Sequence, residues 1–256
     1  DDAPRDQSWW PMARWTAQLD RPADIPGVVR QAMRRIKTEL PGPALLQLEA
    51  GTLARIEDVK LLEPEIFPPP AVEAGLLRRA AERLRKAEAP AIWAGGGVHR
   101  ADASIALLAI AEHLQAPVVT SPAGKGAISD RHPLSLGLGE RRYAPLKQWL
   151  GQRDIILAVG TKTKFHDRTP GQRVVRIDID VRSLAGDDRH DIGIVADAQV
   201  CLVALSQALR AHPPVRRNDS VSREITALLE ERFAEHNQLE PQRSFIDAIR
   251  DAVPDD

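Results

Sequence analysis

Through the middle of the chain one unit recurs: a short β-branched run, a turn holding Gly or Pro, then an amphipathic helical stretch. This alternation constrains the fold more than any other feature, because strands separated by helices pair through crossovers and so build a parallel sheet. Six strands are expected: "PAIWAG" from 90, "APVVTS" from 116, a weak "LSLGLG" from 134, "DIILAVG" from 154, "VVRIDID" from 174 and "IGIVAD" from 192. Helices are expected in "AVEAGLLRRAAERLRKAE" from 71, "ADASIALLAIAEHLQ" from 101 and "AQVCLVALSQALRA" from 198. In the first of these, Leu77, Ala80, Ala81 and Leu84 fall at i, i+3, i+4 and i+7 and make one apolar face. The fold class is therefore α/β, a doubly wound, six-stranded, mostly parallel sheet.

Both ends of the chain read as pieces of something larger. Residues 1–67 hold a Trp-rich lead, the helix "IPGVVRQAMRRIKTEL", the turn "PGP" and the strand "ALLQLEA". A helix, turn and strand alone cannot bury their apolar faces. Pro68, Pro69 and Pro70 then stop the preceding segment, and the α/β unit occupies residues 68–212. Residues 213–256 continue the linker "HPPVRRNDS" and add helical patterns near 220–237 and 241–252. Trp9, Trp10 and Trp15 crowd the first fifteen residues, which points either to contact with a missing partner or to a locally folded hook.

Lys and Arg total 35 against 36 Asp and Glu, a balance that gives no reason to expect nucleic acid or an anionic membrane as partner. No apolar run approaches the ~20 residues that cross a bilayer, and "DDAPRDQSWW" is acidic where a signal peptide is basic and then apolar. The single cysteine, Cys201, excludes an internal disulfide framework and fits a reducing compartment, so a cytoplasmic protein is expected. "AGKGAI" lacks the P-loop spacing, and there is no H-E-x-x-H, C-x-x-C or G-x-S-x-G. His99, His132 and His166 lie in loops and read as surface residues. "DDRHD" at 187–191 reads as a solvated loop rather than a cation site, and "RRIK" at 34–37 as a wet helix face.

In a parallel sheet all strand C-termini share one rim, and ligands bind there where the strand order reverses. This gathers Gly95, Gly96 and Gly97; Thr120, Ser121, Pro122 and Ala123; Gly160, Thr161 and Lys162; and Asp178 with Asp180. Glycine permits close backbone approach to a pyrophosphate, and a helix start supplies N–H groups. A carboxylate at a later strand end accepts ribose hydroxyls. The arrangement suits a dinucleotide or ADP-like ligand if Gly96 and Asp178 lie on one rim of parallel strands. The bland alternatives are a tight turn at the glycines and local capping by Asp178. An independent nicotinamide-dependent oxidoreductase is a competing reading, but "GGGVHR" lacks the third fingerprint glycine and "PVVTSP" offers no acid at the next strand end. A stand-alone nucleotide-binding or regulatory protein is a third.

"PAIWAGGGVHRADASIALLAIAEHLQAPVVTSPAGKGAISDRHPLSLGLG", with "DIILAVGTKTKFHDRTPGQRVVRIDID" and "VADAQVCLVAL", resembles the Rossmann-like central domain of thiamine-diphosphate-dependent enzymes of the acetolactate synthase group. The flanks extend the resemblance. "IPGVVRQAMRRIKTELPGPALLQLEA" is similar to the end of that family's pyrimidine-binding domain, and "PQRSFIDAIRDAVPDD" to the first helix of its diphosphate-binding domain. The resemblance implies a homo-oligomeric parent enzyme that uses thiamine diphosphate and Mg2+ through its other two domains to cleave or join carbon–carbon bonds beside a 2-oxo group. It implies that this segment alone is not catalytic. In the family the central site holds FAD, ADP or nothing; by position Gly96 and Gly97 face the pyrophosphate, Thr120 to Ala123 line the groove and Asp178 meets the adenosine part. FAD-binding members carry a Gly-Ala-Arg-Phe pattern where this chain reads "GTKTKFHDR", with Lys162 and Lys164.

Overall fold

The computed structural model describes residues 12–139, 143–163, 169–184, 192–213, 220–235 and 240–253. Trp9, Trp10, Lys164, His166 and the run 187–191 fall outside them. The described chain forms two compact units, residues 1–71 and 72–256.

The first unit begins with β1 (Trp15–Leu19), continues through α1 (Ile25–Thr38) and β2 (Ala44–Leu48), and ends with the single turn α2 (Ala50–Leu53). β1 was not anticipated from the sequence. It pairs in parallel with β2, Trp15 opposite Ala44 and Leu19 opposite Leu48, so this segment is a small β-α-β piece rather than a helix, turn and strand. Trp15 stands half-buried on β1, with the Arg35 guanidinium 5.8 Å from its ring centroid. Leu19 is buried, and the Thr52 hydroxyl donates to its carbonyl (3.2 Å).

The second unit runs α3 (Ala74–Arg85), β3 (Pro90–Ala94), α4 (Gly96–Arg100), α5 (Ser104–Leu114), β4 (Val118–Thr120), β5 (Ser135–Leu138), α6 (Ala144–Gly151), β6 (Ile155–Val159), β7 (Arg173–Asp178), α7 (Val181–Leu184), β8 (Ile192–Val195), α8 (Ala198–Arg210), α9 (Ser220–Glu235) and α10 (Gln242–Ala252). All six expected strands are present, and every pair is parallel. Their order is β5-β4-β3-β6-β7-β8. The chain thus winds outward in one direction from β3 and in the other from β6, the doubly wound pattern whose reversal point lies between those two strands. Every residue of β3 and β6 is buried, as fits central strands covered on both faces. β5 is irregular: Val118 pairs with Ser135 but Val119 with Gly137, and Gly137 has φ +64°. This bulge explains the faint signal of that strand in the sequence.

Helices α3 and α5 both pack on α8. Ala80, Ala81 and Leu84 of α3 are buried and Leu77 packs beside them, which is the face its spacing foretold. Asp197 caps α8 by accepting the Val200 N–H (3.1 Å), a bond of about 1 kcal/mol. Ile225 of α9 enters the same core, whereas Phe245, Ile246 and Ile249 of α10 are exposed. Among the described residues no helix is long and apolar enough to cross a membrane. Cys201 is fully buried on α8, and burial pushes its thiol up to about 12. The thiolate is the reactive species, so native protein at pH 8 is expected to react with a disulfide reagent far more slowly than urea-unfolded protein. Equal rates would show that the core opens freely.

Candidate functional site

The rim at the strand C-termini is held by hydrogen bonds that run one residue past each strand. Gly95 N–H donates to the Val159 carbonyl (2.8 Å), Gly160 N–H to Ile177 (2.9 Å), Ser121 N–H to Ala94 (2.8 Å), Gly139 N–H to Thr120 (2.7 Å) and Ala196 N–H to Asp178 (3.1 Å). Gly95, Gly160 and Asp178 therefore lie on three adjacent strands at one level. Two strand spacings of about 4.8 Å separate the first from the last. Gly96 and Asp178 thus share one edge of parallel strands, as the ligand reading requires.

The glycines at the reversal point allow backbone to meet backbone. A Cβ on Gly95 would stand 2.2 Å from the Gly160 carbonyl oxygen and 2.6 Å from Thr161 Cα; one on Gly97 would stand 2.5 Å from Gly160 Cα. Gly97 N–H donates to the Gly160 carbonyl (3.0 Å), and Gly160 itself has φ +53°. A Cβ on Gly96 would come within 3.0 Å of the Ala123 Cβ, in the turn Pro122–Gly124. Much of the close approach that the sequence attributes to a phosphate is thus made to neighbouring loops of the same rim. Gly95 is buried; Gly96 and Gly97 remain half-accessible.

The polar residues divide in the same way. Thr120 is buried and its hydroxyl donates to the Gly137 carbonyl (3.1 Å), so its side chain serves β5. The Thr161 hydroxyl accepts the Thr163 N–H (3.1 Å) and bonds the Thr163 hydroxyl (3.0 Å). Ser121 is half-accessible, while Pro122, Ala123 and Lys162 are exposed along the rim. Asp180 accepts the Arg182 N–H (2.9 Å) at the start of α7 and pairs with the Arg182 guanidinium at 2.8 Å, so its carboxylate is engaged locally. Asp178 is 9% exposed and its Oδ1 accepts the Asp180 N–H (2.9 Å). Burial holds its carboxyl above the usual carboxylate value, against the pull of that N–H and of Arg176. His99 Nε2 lies 2.9 Å from the Lys125 carbonyl and His132 Nδ1 accepts the Leu134 N–H (3.2 Å), structural roles for both.

Arg176 was not anticipated. It lies two residues before Asp178 on β7, hence on the same face of the strand. The guanidinium is buried at 2% exposure and donates to the carbonyls of Thr161 (2.8 Å) and Thr163 (2.6 Å). The sequence signal for it is a cation set between the apolar Val175 and Ile177 of β7.

The thiamine pyrophosphate enzyme central-domain family matches residues 77–205, from α3 into α8. The chain belongs to this family. A Methanocaldococcus jannaschii protein described as "Probable acetolactate synthase large subunit" is 31% identical over 217 residues, 78% of this chain and 36% of its own length. Glyoxylate carboligase of Escherichia coli O157:H7 is 30% identical over 257 residues, 92% of this chain and 42% of its own. The crystal structure of benzoylformate decarboxylase from Polynucleobacter necessarius superposes with a TM-score of 0.68 at 20% identity, over 82% of this chain and 40% of that one, and shows the shared fold. The chain thus spans about two fifths of the length of the relatives it matches. Its residues 77–205 form a central domain of that family.

Proposed function

We propose that the domain is an architectural, nucleotide-binding unit of a thiamine-diphosphate-dependent decarboxylase or carboligase acting on a 2-oxo acid, and that FAD or ADP lies across the β3–β6 reversal point. In this reading Gly95, Gly96 and Gly97 with Gly160, Thr161 and Lys162 flank the diphosphate. Thr120, Ser121, Pro122 and Ala123 line one wall, and Asp178 with Asp180 stands at the ribose end. The observation that carries it is the alignment of Gly95, Gly160 and Asp178 on adjacent strands, with half-accessible Gly96 and Gly97 at one end and a buried acceptor at the other.

We further read residues 1–67 and 213–256 as parts of the pyrimidine- and diphosphate-binding domains of a cytoplasmic homo-oligomer. Thiamine diphosphate supplies a stabilised carbanion equivalent when bound. Among the described residues no three His, Cys, Asp or Glu side chains converge to hold a metal.

Calorimetric titration of the chain with ADP and with FAD tests the site, with flavin absorbance as a second readout for FAD. Saturable binding of one is expected; silence with both overturns the nucleotide reading and leaves an architectural domain. Asp178→Asn gives a sharper result. Because the folded Asp178 carboxyl is raised, the native state binds more protons than the unfolded one between the ordinary 3.8 and the raised value, and stability falls as pH climbs through that window. Asp178→Asn should flatten that slope and keep the Asp180 N–H bond. It should also weaken nucleotide binding about tenfold through loss of a charged acceptor. Unchanged affinity in a variant that binds at all would remove Asp178 from the site.

A further inference from the structure

A buried guanidinium carries a heavy desolvation cost, so what Arg176 holds in place is informative. Its planar fork fixes two carbonyls at once, those of Thr161 and Thr163 at 2.8 and 2.6 Å, where a lysine would offer a single point charge. Peptide geometry carries this order outward. In a trans peptide the N–H of one residue points opposite to the carbonyl of the residue before it. The Thr161 carbonyl turned toward Arg176 therefore turns the Lys162 N–H away from it. The Thr161 hydroxyl, accepting the Thr163 N–H, pins the same loop from within. The Lys162 side chain is exposed, so ammonium and amide both lie on the outer side of a loop whose first residue, Gly160, touches Gly97.

We infer that Arg176 is a positioning residue for anion recognition: by holding the Thr161 and Thr163 carbonyls inward it presents the Lys162 N–H and ammonium to a phosphate group of the nucleotide in the rim crevice. The inference rests on the nucleotide reading above. Arg176 itself touches no ligand.

The test compares ADP with adenosine, which has the same base and sugar and no phosphate, on the full chain carrying Arg176→Met or Arg176→Lys. Amide hydrogen exchange over residues 161–163 is followed without ligand. Arg176→Met is expected to weaken ADP binding about tenfold while adenosine affinity stays within about twofold, with Arg176→Lys between and with faster exchange in the loop. A merely structural role would lower both affinities together, and that result, or unchanged ADP affinity in a folded Arg176→Met, overturns the inference. If Arg176→Met does not fold, Arg176→Lys and Lys162→Ala decide: each should lose ADP affinity selectively, and ADP binding unchanged in both overturns it. If the unaltered chain binds no nucleotide, the nucleotide reading fails, and the exchange data judge the clamp alone. Unchanged exchange then removes the clamp as well.

Discussion

Gly160→Ala is expected to destabilise the domain by about 2–5 kcal/mol: roughly 1–2 for placing a Cβ in the left-handed region and about 1–3 for forcing apart a packed contact. Gly160 has φ +53°, and its new Cβ would stand 2.5 Å from Gly97 Cα and 2.9 Å from the Gly97 carbonyl carbon. Backbone atoms tied into the α4 turn cannot rotate aside as a side chain would. Gly171→Ala is the matched control, since Gly171 has φ +88° but nothing within 4 Å of its would-be Cβ. That substitution should cost only the conformational part, about 1–2 kcal/mol. Urea denaturation of both variants measures the difference. Equal losses would mean that the β3 and β6 loops do not touch as closely as described.

The second large effect concerns α9. Trp149 on α6 donates its indole N–H to Glu224 Oε2 (3.3 Å), and Arg153 donates to the same oxygen (3.3 Å) while stacking 4.4 Å from the Trp149 ring centroid. The Arg153 Nε also donates to the Trp149 carbonyl (3.2 Å). The two partners differ in burial, 8% exposure for the Arg153 side chain against 42% for Glu224. Removing Glu224 therefore strands the buried partner, and Glu224→Ala should cost about 2–3 kcal/mol, less than a fully buried pair because the carboxylate was partly solvated. Arg153→Met leaves behind only a carboxylate that water can reach, and should cost about half as much. Denaturation midpoints give the order, and amide exchange along α9, which packs against β5, reports whether the helix has come away. The reverse order would show that stacking on Trp149, rather than the ion pair, holds α9.

The central sheet was legible because its strands are continuous apolar runs with turn residues at their ends, a pattern that parallel pairing demands. What the sequence hid was short or one-sided. The helix "APLKQWLG" buries only Leu146 and Trp149, too few positions to show a period. β1 alternates between half-buried and exposed residues and was masked by the cluster of tryptophans around it. The five-residue α4 starts inside the glycine triplet, where propensity argues against a helix. At the rim the glycines and Asp178 lie at strand ends, positions that topology sets. The engagement of Asp180 with Arg182 and of Thr120 with Gly137 depends on side-chain directions that spacing does not encode. Arg176 was hidden for the opposite reason: in "VVRIDID" a lone cation resembles an edge residue, and only the folded loop shows what it holds.

The pairing of β3 with β6, Pro90 opposite Ile155 through Ala94 opposite Val159, is the one place in the sheet where its two three-stranded halves are stitched together. A molecule lodged over that stitch grips both halves, so every opening that separates them must first release it. Global unfolding is then made harder by RT ln(1 + L/Kd), where L is the free concentration, about 2.7 kcal/mol when L is a hundred times the dissociation constant. Occupancy at this seam would act as a rivet for the whole domain, with no need for the occupant to take part in any reaction.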